Sequence, residues 1–408
     1  MDFVLRNIGE LTTNDLGPPA AGRVVPDAAV VVSDGVVTWA GPDDALPSEV
    51  DALHRIDVGG RAVIPGFVDA HTHCVFAGDR ADEFGRRLRG ESYEAILEAG
   101  GGICSTVEAT RVADMEELVA SATRRLDRML AMGTTTAEIK SGYGLDTPTE
   151  RKMLEVITKL AHTHAIDVVP TFLGAHVVPA EYREDREAYV RLIEDEMLPA
   201  CAPFARYCDV FCDSAAFTLE EARRILEAGR RFGLQPRMHV EQLAHTGGAA
   251  LAAELGAVSA DHLDHVSPGD VEALRRAGTV AVLLPAVALA MRTPRPPGRM
   301  LWDSGVPVAI ATDCNPGTAY VESMPLVVVL AVLEMGLTPE EALWSATRGG
   351  ALAIEETGKG WIGEGAVADM IVLDAPRAVH LVYRPGTDLV GAVLKDGDFV
   401  VDTLNLSR

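Results

Sequence analysis

The sequence predicts an α/β fold: a (β/α)8 TIM barrel with a small β-sandwich built from both ends of the chain. Three observations carry this. Both termini are rich in short strand-like runs with Asp-Gly turns. The middle alternates eight strand-like runs with helical stretches over about 300 residues, the size and rhythm of a barrel. Polar residues collect at the carboxyl ends of those runs, where barrels place their chemistry. The chain has 408 residues, 48% of them hydrophobic and 24% charged, enough for one large core and an appendage.

The predicted sandwich takes residues 1–61 together with 363–408, and the predicted barrel residues 62–362. In the first part, DAAVVVSDGVVTWAGP reads as a hairpin turning at Ser33-Asp34-Gly35. In the last part, GAVADMIVLDAP and LVGAVLKDGDFVV repeat that character, with a second turn at Asp396-Gly397. The barrel strands are the runs AVIPGFVDA, TTTAEIKSG, DVVPTFLGA, YCDVFCDS, QPRMHVE, VSADHL, TVAVLLPA and VPVAIATD. Helix starts lie between them. Thr147 is read as a cap before Pro148 and Glu150, and Thr218 and Thr338 repeat that logic with Glu221 and Glu341. MEELVASATRRLDRMLAMG has helical spacing and stops at Gly133. No Gly-rich nucleotide fingerprint follows the first strand, which disfavours a doubly wound open sheet.

The formal net charge is −24, from 36 Lys+Arg and 60 Asp+Glu. Nucleic acid and anionic membranes need a basic face, so this charge argues against them as partners, whereas a small anionic substrate needs only one local cation. No apolar run of about 18 residues or more predicts a membrane span. The N-terminus lacks a signal-peptide pattern. The six cysteines form no disulfide framework and read as buried thiols in a reducing cytoplasm.

His71 and His73 stand two apart on an extended run, so both imidazoles face one side. With His239 and Asp313 at later strand ends, they can ligate one divalent ion, leaving it positively charged with an open position for water. Such an ion makes hydroxide available near neutral pH and polarises a bound carbonyl. His-x-His alone is a weak signal; the later partners make it a strong one.

PGFVDAHTH, the later single His, the strand-end Asp and GAVADMIVLD resemble the metal-dependent amidohydrolase superfamily. Within it, the chain most resembles the imidazolonepropionases of histidine degradation. The residues are HTHCVFAGDRADEF, RLRGESYEAILEAGGGICSTVEATR, EIKSGYGL, LGAH, HVEQL, SADHLDH, VAVLLPA and ATDCNPGT. The resemblance implies hydrolytic opening of 4-imidazolone-5-propanoate to N-formimidoyl-L-glutamate by hydroxide on one divalent metal ion, Zn2+ or Fe. It implies metal ligands at His71, His73, His239 and Asp313, and a homodimer. It also implies a catalytic role for His262 and substrate contacts at Arg80, Tyr143, His176, Gln242, Asn315, Gly317 and Thr318.

Physical readings accompany these. Arg80 can grip a propionate through two parallel hydrogen bonds, although its neighbours Asp79, Asp82 and Glu83 also suit a solvated arginine. His262 ends its strand and could stabilise an oxyanion; His265 would lie in the next turn with a structural role. Asp313 could take the water's proton and pass it to the leaving nitrogen. The Asn315–Thr318 turn offers backbone amides and a side-chain amide to a polar ring or carboxylate, or is an ordinary turn. His176 is either a donor to the ring carbonyl or a satisfied buried histidine. A ring deaminase of the superfamily would carry Glu three residues after the strand-five His. Here Glu241 is at plus two and Gln242 at plus three. Glutamine cannot shuttle protons, so deamination is disfavoured. Gln242 is counted with His262 and Asp313 among the catalytic residues as the group that orients substrate or water, and whether it has any acid–base part is left open because imidazolonepropionases carry Glu or Gln there. The fourth strand has neither Lys nor Glu, so a second metal is not expected. Glu138 and Lys140 read as internal barrel polar residues. His54, His162, His164, His245 and His380 are given no chemistry.

Overall fold

The computed structural model describes residues 2–17, 22–50, 53–91 and 101–407; residues 92–100 of the RLRGESYEAILEAGGGI motif lie outside them. The N-terminal region contributes β1 (Phe3–Thr12), β2 (Val24–Ser33), β3 (Val36–Pro42), β4 (His54–Asp57) and β5 (Ala62–Pro65). Then come β6 (Phe67–Asp69), β7 (Thr134–Lys140), β8 (Asp167–Ala175), β9 (Tyr207–Cys212), β10 (Gln235–Val240), β11 (Ser259–His262), β12 (Val280–Leu283) and β13 (Val308–Ile310). The chain finishes with β14 (Met370–Leu373), β15 (Val390–Lys395) and β16 (Asp398–Asp402).

The terminal strands form one sheet, ordered β16-β15-β14-β5-β1-β2-β3 with β4 beside β1. Sandwich-like packing is thus achieved by a single curled sheet. The start of β3 meets the segment before β14 through a Val36–Val367 bridge, and the ring of Phe3 on β1 packs 6.4 Å from that of Phe399 on β16. Leu5, Val30, Met370, Val372 and Leu394 are among the residues buried inside the curl. Both Asp-Gly turns take left-handed backbone at each central residue, the geometry that matches strand twist.

All eight predicted barrel runs carry a strand, each parallel to the next from β6 to β13. The ring closes at its mouth, just beyond the first and last strands. There Thr72 bridges Cys314, Asp313 N donates to His71 O, and His73 N donates to Cys314 O. One run splits. AVIPGFVDA leaves the first sheet after Pro65 and enters the barrel at Phe67, so the change of sheet falls at Gly66 rather than ahead of Ala62. A Cβ on Gly66 would stand 2.4 Å from Thr135 Oγ1, which makes this the place for close passage.

Thr218 and Thr338 form the predicted capping boxes with Glu221 and Glu341. The helix Thr147–Thr163 departs from expectation by one residue. Asp146 is its cap, accepting from Thr149 N, because a carboxylate outcompetes the adjacent hydroxyl for the orphan amide. Glu150 is thereby freed to accept from the Gly142, Gly144 and Leu145 amides and to fix the loop after β7. All six cysteines are free, and all but half-exposed Cys104 are buried. Among the described residues no helix is long and apolar enough to cross a membrane.

Candidate metal centre and substrate pocket

Four predicted ligands converge where the barrel closes. His71 Nε2 lies 3.2 Å from His73 Nε2, which lies 3.4 Å from His239 Nε2. Asp313 Oδ1 is 3.4 Å from His71 Nε2 and 3.5 Å from His73 Nε2. All four side chains are buried. Asp313 sits on left-handed backbone, as do Glu241 and His262 at two other strand ends.

A cation fits this donor set. His71 Nδ1–H donates to Asp261 Oδ2 at 2.6 Å, and His239 Nδ1–H to Asp209 Oδ1 at 3.0 Å. Each ring is thereby fixed in the tautomer that presents an Nε2 lone pair to the centre. Burial, then the Lys140 charge and the neighbouring imidazoles, hold His71 well below its ordinary pKa; burial and then His176 do the same for His73, and burial and then Lys140 for His239. The rings are neutral near pH 7, so the His71 and His239 Nε2 lone pairs both face the centre beside His73, whose own Nδ1 has no hydrogen-bond partner among the described residues. Ligands about 2.0–2.1 Å from one ion at tetrahedral angles stand about 3.3–3.4 Å apart, close to these separations.

A charged layer lies below. Lys140 Nζ contacts Glu138 Oε1 at 2.9 Å and Asp209 Oδ2 at 2.8 Å. Arg237 Nη2 donates to Asp261 Oδ2 at 3.1 Å and to Ala70 O at 2.7 Å. Burial alone would raise Asp261, but the Arg237 and Lys140 cations outweigh it and keep this carboxyl low. The expectation for Glu138 and Lys140 agrees with this arrangement. The orienting roles of Asp209, Asp261 and Arg237 were not legible as such. Their signal was present: buried parallel strands read as apolar throughout, so a charge within such a run marks an inward partner.

The remaining predicted residues ring this centre with some corrections. The His262 ring is 5.6 Å from His71 and 5.4 Å from His239. Burial pushes its pKa down to about 3, and its Nδ1 has no hydrogen-bond partner among the described residues. The Tyr143 ring is 5.9 Å from His73 and 5.5 Å from His176. His176 donates Nδ1–H to Gly142 O at 3.0 Å, and burial holds it neutral, with a pKa of about 4. Its Nε2 therefore accepts a hydrogen bond; donation to a ring carbonyl does not suit this tautomer.

Glu241 accepts from the Thr246, Gly247 and Ala249 amides and is turned into its own loop. Half-buried Gln242 is held by its backbone N–H on Asp213 Oδ2 at 2.8 Å, with no side-chain hydrogen bond among the described residues. The turn after Asp313 differs from expectation. Asn315 Oδ1 accepts from both Gly317 N and Thr318 N at 2.8 Å, and Asn315 Nδ2 donates to Asp313 O and Thr318 Oγ1. These amides satisfy one another in an Asx-type turn and are not free donors. Arg80 is no solvated surface residue. Its Nε and Nη2 grip Glu83, and its Nη1 stands 2.1 Å from where a Cβ on Gly317 would be.

The amidohydrolase family model matches residues 62–403. An imidazolonepropionase of Mycolicibacterium smegmatis is 49% identical over 405 residues, covering 98% of both chains. One from Haloarcula marismortui is 47% identical over 98% of this chain and 96% of that one. Among solved structures, guanine deaminase from C. acetobutylicum superposes with a TM-score of 0.73 at 16% identity, covering 98% of this chain and 100% of that one. A. niger ochratoxinase gives 0.72 at 18% identity over 98% and 96%; these two likenesses speak to the fold. The chain belongs to the amidohydrolase family and, within it, to the imidazolonepropionases.

Proposed function

We infer that this chain hydrolyses 4-imidazolone-5-propanoate to N-formimidoyl-L-glutamate. The observation that carries this reading is near end-to-end identity of 47–49% with imidazolonepropionases, in a chain whose four ligand atoms meet at the barrel mouth. We assign His71, His73, His239 and Asp313 to holding one divalent ion, zinc or iron, since three imidazoles and a carboxylate suit either. When bound, that ion supplies Lewis acidity and a more acidic water.

The chain's own groups do the rest. The water oxygen bonds to the ring carbonyl carbon, the bond from that carbon to the ring nitrogen breaks, and the carbon, still bonded to its carbon neighbour, becomes a carboxylate as the water's second proton passes to solvent. Asp313 takes the water's proton and delivers it to the leaving nitrogen. His262 has a ring nitrogen within 4.8 Å of ligand atoms of His71 and Asp313, which suits a hydrogen bond to the developing oxyanion. His176 Nε2 accepts from a ring N–H. Gln242 orients the ring through its uncommitted amide and carries no proton. Arg80 and Tyr143 take the propionate, and the turn through Asn315, Gly317 and Thr318 shapes that end of the pocket. The enzyme acts as a homodimer in the cytoplasm.

The test is loss of the substrate's ultraviolet absorbance with metal-loaded protein, with product identified by mass. The expected result is N-formimidoyl-L-glutamate with no ammonia released. Ammonia release, or no turnover by folded, metal-replete protein, would overturn the assignment.

A further inference from the structure

We propose that Arg87 is a second cation of the carboxylate-binding end of the pocket, and that the substrate's propionate lies between the Arg80 and Arg87 guanidiniums beside Gly317. This deepens the functional reading above and rests on it.

Arg80 caps the helix Ala81–Leu88 and Arg87 lies in its last turn. Seven residues are about two helical turns, so both side chains project from one face. Both meet the same glycine. The Arg80 Cζ is 2.8 Å from where a Gly317 Cβ would be, and Arg87 Nη1 donates to Gly317 O at 3.4 Å. Glu83 lies between them in sequence; its hydrogen bonds go to Arg80 and to the Gly102 amide at 2.8 Å, and it reaches Arg87 through its charge alone.

Half-buried Arg87 has no carboxylate partner among the described residues. Its Nη1 is 3.0 Å from Met291 Sδ, a weak acceptor, and its guanidinium lies 5.3 Å from the Phe84 ring centre. In a chain with 60 acidic and 36 basic side chains, an arginine left with a thioether and one long carbonyl contact stands out. Burial, and then the charge of Arg80, depress its pKa, so the two cations feel each other. Two guanidiniums and one carboxylate leave a local charge of +1, which one propionate neutralises. A carboxylate also offers Arg87 the charge-assisted acceptor it lacks. The simpler role, pinning the turn through Gly317 O, would matter equally for any substrate.

Steady-state kinetics separate the two. Wild type, Arg87→Gln and Arg86→Gln are compared on 4-imidazolone-5-propanoate and on its propionamide analogue, which has the same ring but a neutral side chain. Loss of one charged contact raises KM for the acid about 10- to 100-fold in Arg87→Gln. The fall in kcat/KM on the amide is expected to be at least about tenfold smaller. Arg86→Gln, whose guanidinium pairs with Glu91, should match wild type on both. Equal losses on acid and amide, or an unchanged KM for the acid, would overturn the proposal. A wild type inert on the acid would overturn the functional reading and take this inference with it.

Discussion

Inside the curled terminal sheet, Leu5, Val30, Met370, Val372 and Leu394 bury apolar side chains against one another. Inside the barrel, at the same depth from solvent, lie Glu138, Lys140, Asp209, Arg237 and Asp261. The first arrangement stabilises by removing apolar area from water, about 25 cal/mol per Å2. The second must offset the desolvation of five charged groups, and such lattices contribute little net stability. What the barrel gains is orientation, since Asp209 and Asp261 fix His239 and His71 and are themselves held by Lys140 and Arg237. The sheet's core is organised for stability and the barrel's interior for the site above it.

This contrast can be broken from either side. The largest effect is expected from Arg237→Met, which leaves Glu138, Asp209 and Asp261 facing Lys140 alone. Uncompensated buried charge should cost about 3–5 kcal/mol in chemical denaturation of the metal-free protein. Leu394→Ala in the sheet should cost about 2–5 kcal/mol through a cavity, with cation affinity unchanged. If that variant weakened cation binding, the separation of roles would be wrong. Asp209→Asn should lower cation affinity about 10- to 100-fold by loosening His239, read by competition with a chelating dye. The smallest change is expected from Gly317→Ala. The added methyl displaces the flexible Arg80 guanidinium, so stability should move by no more than about 0.5 kcal/mol. KM for the substrate should still rise severalfold, and an unaltered KM would count against the Arg80 placement.

The contrast also explains what could be read from the sequence. The eight barrel runs and both hairpins were legible because apolar runs and Asp-Gly turns act locally. The four proposed ligands were singled out because His71 and His73 stand two apart on an extended run and His239 and Asp313 lie at strand ends. Partnership across the barrel was not legible. Asp209 pairs with His239 from a neighbouring strand, and Asp261 with His71 over 190 residues. Competition between adjacent groups was equally hidden. Asp146 displaced Thr147 as a cap, and Asn315 claimed the Gly317 and Thr318 amides that the sequence offers to a ligand. Sheet assignment failed at AVIPGFVDA because periodicity does not say which sheet a strand joins.

The central claim, that the four residues at the barrel mouth hold the ion on which turnover depends, is tested by measuring cation content and turnover together in wild type and His239→Ala. The account predicts one zinc or iron per wild-type chain, turnover proportional to occupancy, and loss of both in folded His239→Ala. Full turnover by metal-stripped wild type, or a His239→Ala variant that keeps both ion and activity, would contradict it.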